Sequence, residues 1–177
     1  YEIYQCDWSS DVCSSDLGQC GCCTVLINGK AVVSCQTTLD KIAGADVVTL
    51  EGIGDEERKR YSDAFAACGG LQCGFCIPGI VVRAKAQVDK KGKNLKREDM
   101  ARHLGANLCR CTGYVKILDA IEMVAQDIQP DLPAVGGIGS RSMKYEAHEL
   151  ALGDRGYVDD IRIDGMEHAA LHLTSHA

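Results

Sequence analysis

Gln72-Cys73-Gly74-Phe75-Cys76-Ile77-Pro78-Gly79 and Asn107-Leu108-Cys109-Arg110-Cys111-Thr112-Gly113-Tyr114 bound the stretch that decides how this chain folds. Four thiols stand in two tight pairs with 32 residues between them. Cysteines this close are strained as a disulfide, and Cys-x-x-Cys in a chain without secretory features reads as metal or redox chemistry. Four thiolates suit zinc or an iron–sulfur cluster. A structural zinc site usually draws on two Cys-x2-4-Cys knuckles, and Cys109-x-Cys111 is tighter than that. A [2Fe–2S] rhomb needs two thiolates per iron, so two close pairs from distant segments fit it. Pro78 belongs in the first turn of a helix starting after Cys76, with its positive end towards a cluster of charge about −2. Gly74 and Gly113 leave room for backbone N–H groups near the sulfurs, which tunes a cluster's potential.

These two motifs together resemble the iron–sulfur subunit of the molybdenum hydroxylases, the relatives of xanthine dehydrogenase, aldehyde oxidoreductase and carbon monoxide dehydrogenase. The resemblance covers roughly 18–128. It implies an α+β fold: a truncated β-grasp ferredoxin-like segment (18–54), a four-helix [2Fe–2S]-binding domain (55–128), a linker (129–140), and a short α/β fragment (141–177). It implies Cys73, Cys76, Cys109 and Cys111 as ligands of one [2Fe–2S] cluster. It also implies that Gln72 contacts the pterin of a molybdenum cofactor carried on another domain or chain. As an ordinary loop residue, Gln72 would instead cap the adjacent helix. Arg110 either steadies negative charge near the cluster or faces solvent.

Upstream, Gly18-Gln19-Cys20-Gly21-Cys22-Cys23-Thr24-Val25-Leu26-Ile27 runs into Asn28-Gly29 and then Ala31-Val32-Val33-Ser34-Cys35. Asn-Gly between β-rich runs predicts a two-residue hairpin. Position 27 then faces 30 and position 23 faces 34, which returns Cys35 beside Cys22 and Cys23. The loop resembles the plant-type ferredoxin pattern Cys-x4-Cys-x2-Cys with a distant fourth Cys. Cys20, Cys23 and Cys35 match three of its ligands, and Ser15 stands where the fourth belongs. Cys22 takes a non-ligand position in that pattern, and Cys6 and Cys13 receive no role. Residues 1–17 have no helical or strand period and resemble translated adapter sequence, so they are expected to be non-native. Asp46-Val47-Val48-Thr49-Leu50 is expected as a strand left without its usual neighbours.

Four apolar stripes follow. Tyr61, Ala64, Phe65 and Cys68 mark the first, with Cys68 expected in the core. Ile80, Ala84 and Val88 mark the second, and Met100, Leu104 and Leu108 the third. Ile117, Leu118, Ile121, Val124, Ala125 and Ile128 mark the fourth. Gly69-Gly70 and Lys90-Lys91-Gly92-Lys93 interrupt them, the latter as a solvated turn, and Asn94 is the expected N-cap of the third helix. Pro130 to Ser140 is a linker by composition, without a dinucleotide fingerprint. Beyond it, Gly156 to Ile161 and Gly165 onward resemble the opening of the molybdopterin-binding (hammerhead) large subunit. His168, His172 and His176 have helical metal spacing, but in a strand they would not converge.

The chain has 177 residues and a net charge of −6, so it lacks the basic footprint of a nucleic-acid binder. No apolar run reaches the ~18–20 residues of a membrane span, and eleven cysteines suit a reducing, cytoplasmic compartment. The expected function is electron transfer from a molybdenum cofactor towards flavin or another acceptor, with a molybdopterin-binding large subunit and a flavin (FAD) subunit as partners. A zinc-stapled structural or interaction domain is the rival reading.

Overall fold

The hairpin follows from its turn. The computed structural model describes residues 17–132, 137–140, 142–167 and 169. Within them β1 (Thr24–Ile27) and β2 (Lys30–Val33) pair antiparallel in the expected register, Ile27 with Lys30 and Thr24 with Val33. Both turn residues sit at positive φ, 49° at Asn28 and 74° at Gly29. That geometry matches the right-handed twist of the strands it joins. The strand after Ala45 shortens to β3 (Val47–Val48) and is not left without a neighbour. It pairs with β1 through Leu26–Val48 and Ile27–Val47, giving the sheet order β2-β1-β3. Residues 1–16, with Ser15, Cys6 and Cys13, lie outside the described residues, as do His168, His172 and His176.

Four helices follow as the stripes predict: α1 (Asp55–Cys68), α2 (Ile77–Lys91), α3 (Arg97–Leu104) and α4 (Tyr114–Ala125). Acidic Asp55, Glu56 and Glu57 occupy the first turn of α1, where the helix dipole favours them. Pro78 lies in the first turn of α2, where its missing N–H has no consequence. Tyr61, Phe65, Ile80, Met100, Leu104, Ile117 and Ile121 are fully enclosed between the helices. Lys85 of α2 reaches Glu57 of α1 at 2.8 Å, and Arg97 of α3 reaches Asp119 and Glu122 of α4 at 2.7 and 3.0 Å.

The sequence pattern overshoots at several ends. Leu108 and Ile128 continue the apolar spacing but lie beyond the ends of α3 and α4 and are exposed. At Leu108 the chain has already turned into the loop that carries Cys109 and Cys111. The N-cap of α3 is Lys96, not Asn94, which falls in a preceding 3-10 turn over Gly92–Asn94. Cys68 is half-buried at the last turn of α1 and not a core residue.

The small sheet does not float free. Leu26 of β1 joins the helical core, and β1 lies along α2. Gly79, in the first turn of α2, meets the backbone of the Cys20–Cys23 loop. A Cβ there would stand 2.3 Å from the Gly21 carbonyl oxygen and 2.9 Å from that of Cys22. A fifth helix, α5 (Ala147–Leu152), falls in the stretch expected to be a short α/β fragment, where the sequence pattern locates no particular helix. It buries Ala147, Leu150 and Ala151 against α1 and α2. Among the described residues no helix is long and apolar enough to cross a membrane.

Candidate metal centre

Two loops meet at one end of the bundle, residues 69–76 between α1 and α2 and residues 105–113 between α3 and α4. Gln72 ties them: its side-chain amide donates to the Cys111 carbonyl at 3.1 Å. It therefore bridges the loops and does not cap α2, whose N-cap is Cys76 without a side-chain bond. Tyr114 staples the second loop from the start of α4, its hydroxyl donating to the Asn107 carbonyl at 2.9 Å and accepting from the Cys109 N–H at 3.0 Å.

The four thiols pair across the loops and not within each motif. Cys73 and Cys111 form an exposed outer pair, their sulfurs 3.5 Å apart. Cys76 and Cys109 form an inner pair, with their thiols within hydrogen-bonding reach. Burial, then the neighbouring Cys109 thiol, pushes the Cys76 thiol well above its ordinary range. Burial also raises Cys73, although the Phe75 N–H donates to its sulfur. At Cys109 burial acts in the same direction, but it is outweighed. Backbone N–H groups of Cys111, Thr112 and Gly113, with the Cys76 thiol, stabilise the thiolate and leave Cys109 below the ordinary thiol range. Three N–H groups converging on one sulfur form an anion nest of the kind that holds iron–sulfur sites.

A cavity of about 150 Å³ opens between the loops, lined by Cys20, Cys22, Cys73, Cys76, Cys109 and Cys111 among others. Among the described residues no three Cys, His, Asp or Glu side chains form the cage of a single ion. Two separate sulfur pairs facing a shared cavity, with N–H donors at the sulfurs, fit a binuclear cluster better than a mononuclear zinc site, which gathers four ligands around one point. Arg110 lies exposed on the cavity rim.

The first site adjoins the second. Cys35 returns beside Cys23, as the hairpin register requires. Burial, together with Cys23, lifts the Cys35 thiol to about 11, and Cys20 is close enough to contribute. Cys22 is buried, in keeping with an interior role. The loops that carry the two thiol sites are hydrogen-bonded to each other. The Leu108 N–H donates to the Cys20 carbonyl at 2.8 Å, and the Asn107 side-chain amide donates to the Gly21 carbonyl at 2.9 Å. Arg83 of α2 completes this link by donating to the Asn107 side-chain oxygen. Sequence reading assigned no role to Asn107 or Arg83. The available signal was an amide at the head of the second thiol motif.

Sequence reading also missed Tyr157. Its hydroxyl donates to the Cys73 carbonyl at 2.8 Å, and its ring meets that of Phe75 edge-on with centroids 6.3 Å apart. Burial, and secondarily the nearby Cys73 thiol, lift the Tyr157 hydroxyl to about 12, so it remains a neutral donor.

Comparison with known proteins places the chain among iron–sulfur proteins. The [2Fe-2S] binding domain family matches residues 49–122. The nicotinate dehydrogenase small FeS subunit of Eubacterium barkeri is 36% identical over 110 residues, which cover 62% of this chain and 69% of that protein. The aldehyde oxidoreductase of Megalodesulfovibrio gigas is 36% identical over 172 residues, 88% of this chain but only 18% of that much longer protein. The solved aldehyde oxidoreductase from Desulfovibrio desulfuricans superposes with a TM-score of 0.72 at 34% identity, over 88% of this chain and 19% of that one. Two thiol-bearing loops, a hairpin-borne thiol set and these similarities agree: the chain belongs to the iron–sulfur subunit or domain of the molybdenum hydroxylases, the oxidoreductase family of xanthine dehydrogenase and aldehyde oxidoreductase.

Proposed function

We propose that this chain relays electrons between a molybdenum–pterin cofactor held on another domain or chain and a flavin (FAD) or other acceptor held elsewhere. Cys73, Cys76, Cys109 and Cys111 would hold one [2Fe–2S] cluster, and Cys20, Cys23 and Cys35 would supply three ligands of a second. A cluster bound by these thiols supplies one-electron storage at a potential set by charge, N–H donors and exposure. The chain's own part is to hold thiolates, direct N–H groups at them and keep the two sites adjacent.

The observation that carries this reading is the division of the thiols into an outer and an inner pair. Cys73 and Cys111 are exposed beside Gln72, on the side where a partner's pterin could approach. Cys76 and Cys109 turn inward, next to the loop whose Cys20 carbonyl accepts from the Leu108 N–H. The chain therefore has an entry side and an exit side joined by a hydrogen bond one residue from a ligand. Residues 141–177 would begin the molybdopterin-binding partner domain, and residues 1–17 would not belong to the native chain.

The test is anaerobic reconstitution of the full chain with iron and sulfide. About two irons per chain, with a visible absorption that dithionite bleaches, are expected from the helical site. Cys73→Ser and Cys111→Ser should each remove most of that colour and the reduced-state paramagnetic signal. One tightly held, colourless zinc, or colour and signal that survive both substitutions, would overturn the proposal.

A further inference from the structure

Tyr157 lies 84 positions beyond Cys73 in the chain, yet it touches the first ligand loop at two points. One is the Cys73 carbonyl, which accepts from its hydroxyl at 2.8 Å. The other is the ring of Phe75, and the N–H of that same residue donates to the Cys73 sulfur. Tyr157 thus grips both ends of the peptide segment that aims an N–H group at a ligand sulfur.

The grip is anchored on the helical core as well as on the loop. Helix α5 is seated by Ala147, Leu150 and Ala151, all buried. Leu150 fills the place where Gly74 has no side chain: a Cβ on Gly74 would lie 2.8 Å from the Leu150 side chain and 2.9 Å from its carbonyl oxygen. Past α5, Arg155 pairs with Glu146, and the Tyr157 N–H donates to the Asp160 carboxylate at 2.6 Å. These bonds fix the backbone on both sides of Tyr157. The loop carrying Cys73 and Cys76 is therefore held between α2 and a strap formed by residues 146–160.

Taking as given the cluster-binding reading above, we propose that Tyr157 is a positioning residue for the helical-domain cluster, holding the Cys73–Phe75 peptides so that the Phe75 N–H stays on the Cys73 sulfur. Hydrogen bonds to cluster sulfurs and solvent exposure are two of the levers that set an iron–sulfur potential, and groups behind the ligands orient them. A looser Cys73 loop would weaken the N–H···S bond. Negative charge on the reduced cluster would then be less well stabilised, and the potential would fall.

The experiment uses the full chain, reconstituted anaerobically as above, with Tyr157→Phe and, separately, Phe75→Leu. The first removes the hydroxyl and keeps the ring. The second removes the ring contact and keeps the hydroxyl bond. Three quantities are read: midpoint potential by redox titration, the rate at which an iron chelator bleaches the cluster, and the melting temperature of the metal-free chain. For Tyr157→Phe a more negative potential and bleaching about two- to tenfold faster are expected, the range that corresponds to one net hydrogen bond. Phe75→Leu should speed bleaching as well. A variant that binds iron like the parent, with unchanged potential and bleaching rate, overturns the proposal. So does a change confined to the melting temperature, because that would mark a purely structural contact. A parent chain that takes up no iron defeats the cluster-binding reading itself, and this inference with it.

Discussion

Asn107 shows how one buried amide can hold two thiol-bearing loops together. It is 1% exposed, and its polar groups are engaged: the amide with Gly21 and Thr24, the side-chain oxygen with Arg83, the main-chain oxygen with Tyr114. Removing such a side chain takes one donor from the buried Gly21 carbonyl, which keeps the Thr24 N–H and hydroxyl, and leaves a half-buried guanidinium without this acceptor. Burial already lowers the Arg83 pKa, so that cation is poorly placed to lose a partner. Asn107→Ala should therefore destabilise the metal-free chain by about 2–3 kcal/mol. Urea unfolding would read this as a lower midpoint, and a change within about 0.5 kcal/mol would put Asn107 in the class of ordinary surface positions. Residue identity was legible where chemistry repeats itself, as in the thiol motifs. It was not legible where a single polar side chain acquires its meaning from a carbonyl 86 positions away. The crosswise pairing of Cys73 with Cys111 was hidden for the same reason, since spacing shows which thiols are near in sequence and not which meet across two loops.

At the scale of elements, the readable parts were those whose geometry is local. The Asn28-Gly29 turn fixed the register of β1 and β2, and 3.6-residue spacing located α1, α2 and α4. Ends were misjudged where an apolar residue continued the period after the helix had stopped, as at Leu108. Helix α5 escaped because six residues are too few to show a period, and its burial depends on a glycine in another loop. How the sheet seats on the helices is equally non-local, and it rests on Gly79. Its missing Cβ lets the start of α2 approach the Gly21 and Cys22 carbonyls. Both are backbone atoms in a hydrogen-bonded loop, so they cannot swing aside as a flexible side chain would. Gly79→Ala should then force the hairpin loop away from α2, at a cost of about 1–3 kcal/mol typical of overpacking. Helix propensity pulls in the opposite direction, since Ala is favoured over Gly by about 1 kcal/mol within a helix. A net loss therefore isolates the contact. Limited proteolysis supplies the structural check. The parent should keep residues 18–54 attached to the helical core, while the variant should lose them early. Equal protection in both would mean that the loop yields freely.

For the molecule as a whole, the two thiol sites differ in completeness among the described residues, and that difference yields a measurable ratio. The helical site brings four cysteines together from two loops of one bundle, whereas Cys20, Cys23 and Cys35 bring three to the hairpin. A [2Fe–2S] cluster held entirely by cysteine needs four. In the Cys-x4-Cys-x2-Cys pattern the missing ligand falls at Ser15. A hydroxyl is a harder and far less acidic ligand than a thiol, so serine at that position should leave the first cluster labile or absent. The parent chain is thus expected to retain about two irons after desalting, and Ser15→Cys about four. The reduced variant should show a second paramagnetic species beside the first. The substitution acts on one site alone, so Ser15→Cys combined with Cys73→Ser should return to about two irons, now on the hairpin side. If Ser15→Cys still holds only two irons and one signal, position 15, in the segment proposed as non-native, and the hairpin thiols do not together form a ferredoxin-type ligand set in this chain. Electron relay would then have to proceed from the helical cluster alone.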